Sequence, residues 1–156
     1  MLDAMRIGLV SDTHGLLRPA VLAFLRGSDH IVHAGDICDQ GVLDTLAELA
    51  PLTAVRGNND VGPWARRLHE TELLEIAGVR LFVIHDLSQL GAAARDAGAH
   101  VVISGHSHKP LARREDGLLH VNPGSAGPRR FKLPISAGEL VIDGGEVTPR
   151  LVQFEA

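Results

Sequence analysis

The chain has 156 residues, enough to bury roughly two-thirds of its unfolded surface without disulfide support. Its residues are 45% hydrophobic and 22% charged, an ordinary globular balance, and a formal charge of −4 leaves no basic field to hold a nucleic-acid polymer. Four Phe, one Trp and no Tyr deny it an aromatic platform for base stacking, and the lone Cys38 excludes an intramolecular disulfide.

Met1, Leu2 and Asp3 lead through Ala4 and Met5 into a strand pattern at 6–10, with no signal-peptide core. No apolar stretch approaches the roughly 20 residues of a membrane span. The expectation is a single cytoplasmic domain over 1–156. Pro19 opens a helix carrying Val21, Leu22 and Leu25, and Gly27 lies just past its end. A strand at 30–33 follows, then a helix through Val42, Leu46 and Leu49 that closes before Pro51, then a strand at 52–55.

Residues 72–76 and 79–84 flank Ala77-Gly78 and read as a β-hairpin. An alanine-rich helix is expected over 87–97, ending at Gly98, before a strand at 100–104. The remainder reads as antiparallel strands at 111–115, 118–121, 138–142 and 146–154, with Asp116-Gly117 and Gly144-Gly145 as turns. The first two-thirds thus alternate strand and helix, an α/β pattern in which ligands bind beyond the carboxyl ends of the strands.

Five polar islands occupy those ends. They are Asp12-Thr13-His14, Gly35-Asp36, Gly57-Asn58-Asn59-Asp60, His85, and Gly105-His106-Ser107-His108. Carboxylate, imidazole and carboxamide suit borderline-to-hard divalent metals, not a thiolate site. Asp12, His14, Asp36, Asn58, His85, His106 and His108 fill two shells if one carboxylate bridges, and Asp36 is the natural candidate. The glycines beside these residues are expected to supply the turns that a Cβ would resist.

Two ions roughly 3.5–4 Å apart would hold a bridging hydroxide at neutral pH and clamp the attacking and leaving oxygens of a phosphoryl centre. Two dications would also cancel the charge of −4 inside one cleft, so an acidic chain can still attract a small phosphate. A small phosphate-ester substrate is therefore expected, with no membrane partner. The sequence leaves self-association into a homo-oligomer open.

The series D-x-H, G-D, G-N-x-D, a strand-end His and G-H-x-H resembles the calcineurin-like metallophosphoesterase superfamily. Asn122-Pro123-Gly124-Ser125 is similar to its small bacterial and archaeal phosphodiesterase branch, and the likeness runs from Asp12 to about Arg129. The resemblance implies two mixed β-sheets packed face to face with helices outside. It also implies a hydrolase in which Asp12, His14, Asp36 and His108 hold one metal and Asp36, Asn58, His85 and His106 the other. Manganese is the first candidate occupant, with nickel, zinc or iron as alternatives. Asn59 and Asp60 are the candidate catalytic residues, and Asn58 and Arg129 the candidate phosphate contacts.

Two positions depart from the family pattern. Asn59 stands where many active members carry a histidine that protonates the leaving group, and loss of a general acid typically removes ~10²–10⁴-fold in rate. Asp86 follows His85 where glycine is common. A non-catalytic scaffold on the same fold, like the retromer subunit of this superfamily, is the alternative reading. Outside the ligand set, His33 is a candidate to orient a ligand and Asn122 to hold a turn, while Cys38 reads as a small buried hydrophobe. Pocket walls are expected from loops 61–67 and 127–133.

Overall fold

The computed structural model describes residues 4–130 and 132–155. Residues 1–3 of the leader reading, and Phe131 in one expected wall loop, lie outside them. The first elements are β1 (Met5–Val10), α1 (Pro19–Leu25), β2 (His30–His33), α2 (Gln40–Leu49), β3 (Leu52–Ala54), β4 (Thr71–Ile76) and β5 (Val79–Ile84). They are followed by α3 (Ala93–Asp96), β6 (Val101–Ile103), β7 (Leu111–Glu115), β8 (Leu118–Asn122), β9 (Ile135–Asp143) and β10 (Glu146–Phe154).

Two five-stranded sheets result, ordered β10-β9-β1-β2-β3 and β4-β5-β6-β8-β7. Within the first, β1, β2 and β3 are parallel; within the second, β5, β6 and β8 are parallel. Antiparallel β9 and β10 join one flank of the first sheet, and antiparallel β4 and β7 the two edges of the second, so each sheet is mixed.

The period-2 pattern of β1 explains the layering. Ile7 and Leu9 point between the sheets, where they meet Val32, Leu81, Ile103, Val121 and Leu140. Val10 faces the other way and, with Ile31, packs on Val21 and Leu25 of α1 and on Val42 and Leu46 of α2. On the far face of the second sheet, Phe82, Val102 and Leu118 lie under Ala94 of α3. The molecule is a helix–sheet–sheet–helix sandwich. Each fully buried aliphatic side chain in it contributes about 1.5–3 kcal/mol of transfer free energy.

The three expected two-residue turns form, with positive φ at both positions: Ala77 51° and Gly78 80°, Asp116 52° and Gly117 80°, Gly144 58° and Gly145 87°. That pairing is the hairpin turn whose twist matches the strands. Pro149 sits in β10, an edge strand, where a missing N–H costs no ladder bond.

The helix expected over 87–97 is broken into a 3-10 turn, Leu87–Gln89, and the single turn of α3. Asp86 caps the first piece through the Ser88 N–H, and Gly91 at φ 53° ends the run between them. A segment this short cannot sustain a helix on alanine propensity alone. Residues 63–67 form a second 3-10 turn opened by Pro63, where only a loop was expected.

Candidate metal centre

The carboxyl ends of β1, β2 and β3 and those of β5 and β6 meet at one rim. Asp12, His14, Asp36 and Asn58 arrive from the first sheet, and His85, His106 and His108 from the second. Asp12 Oδ1 lies 3.3 Å from His108 Nε2 and 3.9 Å from the Nε2 atoms of both His14 and His85. Asp36 Oδ2 lies 3.8 Å from His14 Nε2 and 3.4 Å from His85 Nε2. Asn58 Oδ1 lies 3.0 Å from His85 Nε2 and 3.2 Å from His106 Nδ1. All seven expected ligand residues are thus brought together. Five of them form two candidate groups, Asp12–His14–His108 and Asp12–Asp36–His85, so that Asp12 is common to both where Asp36 was expected to be shared, and Asn58 and His106 stand beside these groups.

The donor set fits a cation. His85 donates Nδ1–H to the Ala34 carbonyl at 2.7 Å, since a carbonyl can only accept, so Nε2 turns to the cluster and offers it a lone pair wherever a cation takes the place of its proton. That lone pair faces Asn58 Oδ1, Asp36 Oδ2 and Asp12 Oδ1. Such atoms repel one another unless a positive charge stands among them. Asp12 Oδ1, His14 Nε2 and His108 Nδ1 are also buried without a hydrogen-bond partner, a costly arrangement in a protein interior. Ligand atoms about 2.1 Å from one ion lie about 3.0–3.4 Å apart, the range into which the shorter of these separations fall.

The carboxylates are tuned to stay ionised. Burial pushes Asp36 up, but the His85 hydrogen bond and the two Asn59 donors outweigh it and hold the carboxyl well below its usual range. Burial likewise opposes ionisation of Asp12, and the His108 ring 3.3 Å away with the Ser11 hydroxyl bond overcomes it. For His85, burial disfavours charge, yet the Asp36 bond and the Asp12 and Asp36 charges raise its pKa.

Backbone conformation aims the ligands. Asp12 (φ 54°), His14 (47°), Asp36 (57°), His106 (71°) and His108 (62°) all adopt the left-handed region, which costs an L-residue about 1–2 kcal/mol. The glycines were expected to take these turns, and only Gly35 does, at φ 103°. Gly57 and Gly105 are required for space. A Cβ on Gly57 would collide with Asp36 N and Oδ1, and one on Gly105 would collide with Ser11 Oγ and lie 2.8 Å from Asp12 Oδ2.

Asp60 is 4% exposed and faces the β2 loop, not the imidazole cluster. Its carboxylate accepts backbone N–H groups from Asp36 (2.9 Å), Ile37, Cys38 and Gly57 (2.8 Å each). It positions the Asp36 loop, a role that its place in G-N-x-D did not reveal. Asn59 donates N–H to Asp36 Oδ1 and Nδ2–H to Asp36 Oδ2, both at 2.9 Å. Arg129 is exposed and donates to the Leu133 carbonyl at 3.2 Å, so it closes its own loop.

His33 orients the site from beneath. It is fully buried, accepts from Gly35 N at Nδ1 (3.1 Å) and therefore donates from Nε2 to Thr13 Oγ1 (3.0 Å). Burial pushes its pKa down to about 3, so the ring is neutral. Asn122 donates to the Gly105 carbonyl and Ser107 Oγ and accepts from Gly124 N, tying the G-H-x-H loop to the loop after β8. Cys38 Sγ lies 3.6 Å from His14 Nδ1, and burial with the Asp60, Asp36 and Asp12 charges raises its thiol to about 11. Asp86 leaves the His85 ring seated, because its carboxylate turns to Ser88.

Two clefts adjoin the cluster. One of about 270 Å³ is lined by Arg56, Asn58, Glu70, Asp86 and Gln89. The other, about 320 Å³, lies beside His106 between Leu87 and Leu111. Neither takes a residue from the expected wall loops 61–67 and 127–133.

Fold and donor set together define a layered α/β protein with a candidate divalent-metal centre at one rim. The chain belongs to the calcineurin-like phosphoesterase superfamily, whose domain matches residues 5–145. It is 34% identical to a probable metallophosphoesterase of Methanothermobacter thermautotrophicus over 97% of this chain and 94% of that one. It is 29% identical to a phosphodiesterase of Escherichia coli K12 over 87% of each. Among solved structures, an archaeal phosphodiesterase superposes with a TM-score of 0.81 at 24% identity, covering 96% of this chain and all of that one. Vacuolar Protein Sorting 29 of Cryptosporidium parvum superposes with a TM-score of 0.77 at 17% identity, covering 98% and 99%. These two likenesses establish the sandwich fold.

Proposed function

We propose that the protein is a dinuclear metal-dependent phosphoesterase that hydrolyses phosphodiesters of small molecules. The observation that carries this reading is the convergence of Asp12, Asp36 and Asn58 oxygens on Nε2 of His85. Asp12, His14, Asp36 and His108 would hold one ion and Asp36, Asn58, His85 and His106 the other. Two divalent ions supply Lewis acidity toward phosphoryl oxygens and lower the pKa of water enough for it to attack at neutral pH. Manganese suits the nitrogen and oxygen donors, as do nickel, zinc and iron.

The protein's own groups set the preference. Asn58 adds a neutral ligand, so the cleft gains no further negative charge against an anionic substrate. Asn59 carries an amide, which cannot give a proton to a departing alkoxide, so esters with good leaving groups are favoured. Asp60 and His33 keep the Asp36 and Asp12 loops in register through hydrogen bonds. Among the described residues no helix is long and apolar enough to cross a membrane, and the reading adopts a cytoplasmic setting for a single catalytic domain.

The test is hydrolysis of an activated aryl phosphodiester with manganese, for the native chain and for Asp36→Asn. A loss of roughly 100-fold or more is expected from removing one charge between the metals; equal rates would refute the reading. Asn59 in the histidine slot favours a second reading, a non-catalytic scaffold. Metal content after exhaustive dialysis separates them: two equivalents fit the enzyme and none fits the scaffold.

A further inference from the structure

We propose that the cleft beside His106 is the subsite for one ester arm of the substrate, and that this arm is an apolar, ring-sized group. The inference rests on the phosphoesterase reading and names the substrate class for that site. The cleft, about 320 Å³ and overwhelmingly apolar on its surface, is bounded by Leu87, His106, Pro110 and Leu111, and His120 also lines it. Among the described residues, five large hydrophobic side chains are exposed, and two of them, Leu87 (36%) and Leu111 (42%), flank this one opening. A monomer surface gains nothing by showing two leucines across a concavity, whereas a bound apolar group gains their area.

Its continuity with the metal centre says what fills it. His106 forms the shared wall, since its Nδ1 lies 3.2 Å from Asn58 Oδ1 and its N–H reaches Asp12 Oδ2 at 3.1 Å. A phosphate held at the cluster therefore sends a substituent over His106 into this cleft. On the other side of Asn58 lies the polar cleft of Arg56, Glu70 and Gln89, and Asp86 borders both. A centre flanked by an apolar and a polar cleft suits a diester with two unlike arms. A monoester leaves one cleft empty.

The fold explains why the opening exists. On the outer face of the second sheet, Phe82, Val102 and Leu118 are covered by α3, but the covering helix is only four residues long. The 3-10 turn at Leu87 starts the cover on one side and β7 begins at Leu111 on the other. The uncovered strip between them forms the cleft.

The test is calorimetric titration of the metal-loaded protein with phenylphosphonate and methylphosphonate, which present the same anion with and without the ring. The native chain is expected to bind the phenyl compound about 30-fold more tightly, the gain from burying one ring. The double substitution Leu87→Gln and Leu111→Gln removes apolar area without adding charge. It is expected to cut that preference to about threefold and to leave methylphosphonate affinity unchanged. Equal affinity for both compounds in the native chain overturns the subsite, as does a preference that survives the double substitution. Binding of neither compound overturns the phosphoesterase reading and this inference with it. Binding without any diester hydrolysis overturns only the catalytic reading.

Discussion

Asn59 grips Asp36 at both oxygens, with its backbone N–H on Oδ1 and its side-chain amide on Oδ2, each at 2.9 Å. The residue in the slot of a proton donor thus serves the carboxylate that stands between the imidazoles. The backbone bond survives any substitution but proline, so the slot can be changed without releasing Asp36. Asn59→His is expected to raise the rate about 10-fold or more on diesters with poor leaving groups, and far less on a p-nitrophenyl ester. Rates across a leaving-group series check this. A uniform change across the series would show that the slot does not act on the leaving group.

Asp60→Ala leaves four backbone N–H groups of residues 36, 37, 38 and 57 without their acceptor. The expected loss is about 3–5 kcal/mol of stability, read from denaturant unfolding of the metal-free protein. Metal affinity falls as well, because the Asp36 loop loses its anchor.

Gly57→Ala places a methyl group against the Asp36 backbone and carboxylate, neither of which is the free end of a flexible chain. The expected result is a loss of about 1–3 kcal/mol and a purified protein short of metal. Elemental analysis beside a thermal melt measures both. A fully metal-loaded variant would mean that the loop moves aside without disturbing Asp36.

His33 makes the metal-free protein acid-sensitive. Its pKa is about 3 in the fold, against 6.5 in the unfolded chain. Above pH 6.5 the ring is neutral in both states and its contribution is complete. As pH falls from 6.5 toward 3, only the unfolded chain takes up the proton, and stability declines by up to about 1.4 kcal/mol per unit. His33→Gln removes this slope. The difference in unfolding free energy between the two proteins, followed from pH 7 to pH 4 with chelator present, is expected to shrink as the medium becomes more acidic.

Much of the fold is legible along the chain. The strands at 30–33, 79–84, 111–115 and 146–154 lie where period-2 apolarity and the turn pairs at 77–78, 116–117 and 144–145 put them. The helix over 87–97 was not legible, because alanine content signals propensity while Gly91 decides the outcome. At the candidate metal centre the islands announce themselves through residue type. Their backbone does not, since the left-handed turns fall on Asp12, His14, Asp36, His106 and His108 themselves. Spacing cannot show that Asp60 faces the N–H groups of Asp36, Ile37 and Cys38 across 22 to 24 residues, or that the Arg129 side chain turns to Leu133. The first pairing exists only once β2 and β3 lie side by side, and the second is set by the turn of its own loop.

The division of donors between the sheets makes the hydrophobic layer a calliper. Asp12, His14, Asp36 and Asn58 ride on one jaw and His85, His106 and His108 on the other. The gap between the jaws is set by Leu9, Val32, Ile103 and Val121, none of which touches the rim chemistry. A methylene added or removed in that layer alters the opening and leaves every donor in place. The spacing of the candidate ligands thereby becomes a gauge of how well a distant interior is filled.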